Sequence, residues 1–160
     1  MASAPETPSA AERDRGPAPG GSPARMRRES GGWHTRFVDE AAPGEERTYS
    51  LYLHLVGLLS LASLPVPVAG LVGTLIMWRI KHDASPYLDD HGREAVNFQI
   101  SVLLYGVVLT VLIIPTLGLA AFGHLAVVVL SLVGCIRGAM AANRGEFYRY
   151  PMTVRFLKGE

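Results

Sequence analysis

Charge is missing where a protein of this size normally needs it. The chain's 15 basic and 14 acidic residues fall in 1–47, 79–94 and 137–160, and the tracts between them, 48–78 and 95–136, contain none. A soluble domain places charge on the outer face of nearly every helix, so these gaps exclude an ordinary water-soluble fold and point to a bilayer as solvent. Cysteine is almost absent too. Cys135 is the single one, which excludes an intramolecular disulfide and a cysteine metal cage. Within an apolar tract it reads as a packing residue rather than a reactive thiolate. The net charge of +1 comes with no basic stripe, so nucleic acid is excluded as a partner.

Large apolar residues are scarce at the start of the chain. Within 1–30, Met26 is the one such residue after Met1, and a segment of that composition cannot offset ordering entropy of roughly 1–2 kcal/mol per residue. A disordered cytoplasmic tail is therefore expected over 1–47. It contains no apolar run before a cleavage site, so no signal peptide is expected. The folded part should be a helical membrane domain over 48–160.

The tract 95–136 holds Pro115, Thr116, Gly118 and Gly123 at its middle, which is turn chemistry. Two spans of about 20 residues follow, the length that a hydrocarbon core of roughly 30 Å requires. The tract 48–78 is harder to place. As one straight helix it would rise roughly 46 Å at about 1.5 Å per residue, too long without steep tilt. Pro65 and Pro67 should break it into two short halves. The expected fold is an all-α membrane protein of two helical hairpins, with helices near 49–64, 67–80, 90–115 and 119–142. That makes about four helices, and the first hairpin is either spanning or re-entrant. With four crossings or a re-entrant first hairpin, every Lys and Arg lies on one side, which predicts cytoplasmic termini.

The chemistry-bearing residues cluster around the second hairpin's entry. Glu94, Asn97, Ser101 and Tyr105 are spaced three, four and four apart and share one helix face. That face serves either interhelical hydrogen bonding or the polar wall of a path; Gln99 points elsewhere, toward another contact. His54 lies inside the first uncharged tract and His124 at the far end of the last span. For His54 a satisfied structural hydrogen bond is preferred over a proton relay. In the loop before the polar face stand His82, Asp83, Ser85, Pro86, Asp89, Asp90, His91 and Gly92. Their spacing matches no ligand motif such as HExxH. Pro86 should form a turn, with Asp89 or Asp90 capping the helix that follows. Small residues mark close helix contacts: Gly57, Ser60 and Ser63, Gly70 and Gly73, and the GxxxG pair Gly134 and Gly138, which is read as packing within one monomer. At the C-terminal end Asn143, Arg144 and Gly145 form a helix stop. Phe147, Tyr148, Arg149, Tyr150, Arg155, Phe156 and Lys158 then mix rings with bases, as suits a lipid headgroup zone.

The string from Trp78 to Gln99, with Asp83, Ser85, Pro86, Asp90, His91, Gly92, Glu94 and Asn97 in it, resembles the signature of a widespread bacterial membrane-domain family of unknown function. That family is likened to the twenty-kilodalton subunit of the chloroplast inner-envelope protein-import translocon. The opening His54-Leu-x-Gly57 and the close Ala142-Asn143-x-Gly145-Glu146-x-Tyr148-x-Tyr150-Pro151 are similar to it as well, so the resemblance covers about 49–157. It implies a bacterial cytoplasmic-membrane, multi-pass protein and supplies no catalytic, cofactor-binding or metal residues. The expected function is a non-enzymatic structural or interaction component of a membrane complex. A transport or protein-conducting component with a polar helix face is the alternative. The expected partners are the lipid bilayer with membrane proteins or a homo-oligomer, and no cofactor.

Overall fold

A computed structural model describes residues 26–31, 34–63 and 67–157. In chain order it contains β1 (Met26–Gly31), β2 (His34–Asp39), α1 (Gly44–Val56), a 3-10 helix (Gly57–Ser63), α2 (Val68–Lys81), α3 (Pro86–Leu112) and α4 (Ala121–Asn143). The protein is mostly helical. Among the described residues, α3 and α4 are the two helices long and apolar enough to cross a membrane. Two of the expected helices are thus candidate membrane spans, and α1 with the 3-10 helix and α2 form a shorter hairpin.

The shorter hairpin stops partway along α3. Its second arm, α2, has 14 residues and rises about 21 Å, less than a hydrocarbon core of about 30 Å. Its first arm changes from α to 3-10 geometry at Gly57, and Ser60 Oγ then donates to Gln99 Oε1 at 2.5 Å. A Cβ on Gly57 would lie 2.3 Å from Gln99 Nε2, and one on Gly70 would lie 2.0 Å from Ser60 Oγ. These glycines let both arms press onto the middle of α3. Ser63 closes the hairpin by accepting from Ala69 N at 3.1 Å. Pro67 sits directly before α2, while the expected break at Pro65 lies outside the described residues.

Helix α3 begins at Pro86, four residues earlier than expected, and its N-cap is Ser85 rather than Asp89 or Asp90. Ser85 Oγ accepts from Leu88 N at 3.2 Å and Pro86 occupies the first turn, where its missing N–H costs nothing. At the far end, residues 113–120 make the turn into α4. There Gly118 adopts φ +89 and its N–H donates to Ile113 O at 2.7 Å. Helix α4 ends where Gly145 adopts φ +75.

Two segments depart from the sequence expectations. Within the tail expected to be disordered, β1 and β2 pair antiparallel with Met26 opposite Asp39, and α1 starts at Gly44. The reason is tertiary: Asp39 N donates to Gly145 O and Phe147 N to Phe37 O, each at 2.9 Å. The hairpin is thus extended by backbone from the other end of the chain. The expected disorder over 1–25 lies outside the described residues. The second is at the C-terminus, where 145–157 packs on the protein's own helix. It folds back along α3 as a strap.

Candidate functional site: a buried polar cluster beneath the C-terminal strap

The polar face of α3 binds the strap residue by residue. Glu94 Oε1 accepts from Tyr150 N at 2.9 Å and from Arg155 Nη2 at 3.1 Å. Asn97 makes three bonds: its Oδ1 accepts from Phe156 N at 3.0 Å and Leu157 N at 2.8 Å, and its Nδ2 donates to Leu157 O at 2.8 Å. Ser101 Oγ accepts from Val154 N at 2.9 Å while donating to Asn97 O. Tyr105 Oη donates to Met152 O at 2.5 Å. The strap thus descends past Glu94, turns at Pro151 and Met152 beside Tyr105, and returns past Ser101 to Asn97. Irregular backbone can lie at membrane depth only where protein satisfies its polar groups. Here the spacing of four side chains on one helix face supplies that satisfaction.

Three elements meet under the strap. His54 comes from α1, His91 from α3 and Tyr150 from the strap; His54 and His91 are fully buried and Tyr150 nearly so. His54 Nδ1 lies 2.7 Å from Tyr150 Oη, and His54 Nε2 lies 2.8 Å from His91 Nδ1. Burial holds the Tyr150 hydroxyl well above its ordinary pKa, so it stays a neutral phenol. When it donates to His54 Nδ1, His54 carries its proton on Nε2 and donates to His91. One proton assignment thus satisfies both bonds of His54, with the His91 proton left on Nε2, a buried atom without a hydrogen-bond partner among the described residues. Tyr150 also stacks on Phe98 with ring centroids 4.0 Å apart.

The GxxxG pair of α4 makes room for this cluster. A Cβ on Gly138 would lie 2.9 Å from both His54 Nδ1 and Tyr150 Oη, and one on Gly134 would lie 2.8 Å from Phe98 Cζ. Both glycines are therefore used inside the monomer. Gln99 faces the opposite way, between Ser60 and the buried Cys135, with Nε2 3.7 Å from Sγ.

The charges close the site at its rim. Asp90 accepts both guanidinium nitrogens of Arg149 at 2.7 Å each, a bidentate pair that fixes the start of the strap. Asp89 binds Trp78 Nε1 at 3.0 Å and contacts Arg93. Gly92 lies under the Trp78 ring, where a Cβ would meet Cδ1 at 2.0 Å. Ser85 Oγ donates to Glu46 at 2.7 Å. Asp83 does not join the cluster; its side chain is exposed beside His82 at 2.6 Å. His124 is also apart, 3.2 Å from Thr110 near the far turn. Among the described residues no group of three or more His, Cys, Asp or Glu side chains could hold a metal ion.

The sequence suits Arg149 and Arg155 to the lipid headgroups, and the structure pairs them with Asp90 and Glu94 while leaving both side chains partly exposed. One signal for this was present. Two acids one turn apart at the mouth of an apolar helix need cations, and the C-terminal segment carries them. Nothing local signalled the meeting of His54 and His91, which are 37 positions apart. Phe156, Val154 and Met152 do stay exposed, so the strap keeps an apolar outer surface.

The family model described as the magnetosome magnetite crystal formation protein family matches residues 45–157, a stretch that includes both hairpins, the cluster and the strap. No curated protein and no solved structure matches the chain, and the translocon likeness finds no support in these comparisons.

Proposed function

The chain belongs to the magnetosome magnetite crystal formation protein family, and from that premise we propose that it is a structural component of the magnetosome membrane, acting without catalysis. The observation that carries this reading is the use made of the polar residues. Glu94, Asn97, Ser101 and Tyr105 all bond to the chain's own strap, and His54, His91 and Tyr150 bond to one another. The site works as a clamp that holds an irregular segment in the membrane. A path-lining role for the same helix face would require the strap to leave, exposing six strap backbone groups.

In this reading α3 and α4 cross the bilayer, and the first hairpin and the strap enter from one side and return to it. That side carries the Lys and Arg residues of 79–94 and 137–157, whereas the turn 113–120 carries none, which supports cytoplasmic termini. The turn also has no carboxylate, so the protein's contribution to the crystal runs through the membrane and its complexes rather than through iron binding at that turn. The test is to remove the protein from a magnetite-forming cell and image the crystals by electron microscopy. Altered crystal size or number, restored by the intact chain, is expected. Crystals unchanged in number, size and shape would sink the reading.

A further inference from the structure

Burial is distributed unevenly along the two crossing helices. In α3 the buried positions run from Tyr87 to Gly106, with none over 107–112. In α4 they run from Val127 to Ala142, with none over 121–126. Both helices are therefore wrapped at one end and bare at the other. The wrapped end is packed by α1, the 3-10 helix, α2 and the strap. The deepest contacts of these elements are Ser60 with Gln99 and Met152 with Tyr105. Beyond that level α3 and α4 touch each other, through Thr110 and His124 and where Gly123 packs against Leu109.

The lengths make this a difference between leaflets. From Glu94, the last charge before the apolar run, to Gly106 the helix rises about 18 Å, somewhat more than half of a hydrocarbon core of about 30 Å. The remaining part, through Leu112 into the turn, is a lone two-helix hairpin. Its outer surface is apolar and open: Val111 is 68% exposed, Phe122 75% and Leu125 66%. A groove between the helices starts beside Tyr105 and the strap's Met152 and runs along Val108, Leu109, Gly123 and Ala126. No charged side chain occurs anywhere over 95–136, so acyl chains are the occupant this surface fits.

We propose that the protein is a wedge whose wide half occupies the leaflet on the side of its termini, so that it binds preferentially to, and stabilises, membrane curved convex toward that side. An inclusion with a larger cross-section in one leaflet packs with less strain where that leaflet is expanded, and membrane attachment through shallow apolar surface is curvature-sensitive for the same reason. The proposal rests on the reading of α3 and α4 as the crossing helices with both termini on one side. It does not depend on any effect on magnetite.

The test uses the full-length chain, fluorescently labelled at its N-terminus and reconstituted into phosphatidylcholine–phosphatidylglycerol vesicles of graded diameter. Protein per unit lipid is read vesicle by vesicle, and orientation is read by protease access to the N-terminal tail. The expected result is severalfold higher density on the smallest vesicles, with the tail outside. A second variant, Val111→Trp with Leu125→Trp, thickens the narrow half at exposed positions and should reduce that enrichment. Equal density at all diameters overturns the proposal, as does enrichment with the tail inside. Efficient crosslinking of two copies through Leu125→Cys, with no curvature preference, also overturns it, because a second copy would then fill the narrow half. An altered crystal in cells with flat partitioning would leave the membrane-component reading standing and remove the wedge.

Discussion

His54 Nε2 on α1 and His91 Nδ1 on α3 lie 2.8 Å apart in the closed interior, and the other ring nitrogen of His54 is held by Tyr150 of the strap. His54 thus ties the first helical hairpin, α3 and the C-terminal strap together. Replacing it with Leu leaves buried His91 Nδ1 without its partner, at a cost of about 1–3 kcal/mol, and removes the 2.7 Å bond of Tyr150 Oη. Combined with Tyr150→Phe, the loss should fall short of the sum of the single losses by at least about 0.5 kcal/mol, because both remove the same bond. Chemical unfolding of the protein in detergent measures this, and strict additivity would count against a shared network.

Gly138→Ala tests the close approach of α4. The added methyl falls 2.9 Å from both His54 Nδ1 and Tyr150 Oη, and overpacking of this kind costs about 1–3 kcal/mol. A lowered unfolding midpoint with unchanged oligomeric state is expected. A changed oligomeric state with unchanged stability would instead place the GxxxG pair at a contact between copies.

The strap should loosen in proportion to the bonds removed. Asn97→Ala deletes three hydrogen bonds to Phe156 and Leu157, and Tyr105→Phe deletes one to Met152. At a net value of about 0.5–1.5 kcal/mol per bond, amide exchange over 152–157 should accelerate far more in the first variant than in the second. Equal exchange in both variants and the wild type would mean that the strap is held by something else.

Topology can be read with single cysteines. Leu119→Cys should react with an impermeant maleimide from the side opposite the termini, and Val66→Cys should not react from that side. Cys135, fully buried, should stay unlabelled until the protein is denatured. Labelling of Val66→Cys from the far side would make the first hairpin a full crossing.

The two long apolar helices were legible in the sequence because a bilayer imposes its demand residue by residue. No charge can be spared over about 20 positions, and Pro115 with Gly118 marks the turn between the helices. The shared face of Glu94, Asn97, Ser101 and Tyr105 was legible for a similar reason, since helical spacing is local geometry. Its partner was not. The strap's own composition, aromatic and basic, suits a lipid surface, and only tertiary structure brings Arg149 and Arg155 to Asp90 and Glu94. The β1–β2 hairpin was invisible for want of a local signal; its backbone is completed by Gly145 and Phe147, more than a hundred positions from Phe37 and Asp39.

The sequence by itself determined the two long apolar helices suited to a membrane and the positions of the polar side chains along them, because each follows from transfer free energy and helix period. Tertiary structure decided which of those side chains meet. It turned a row of buried polar groups into a clamp and left one end of the α3–α4 pair wrapped and the other bare. A buried hydrogen bond is chosen by whatever partner the fold delivers, and in this chain His91 and Tyr150 come to His54 from 37 and 96 residues away.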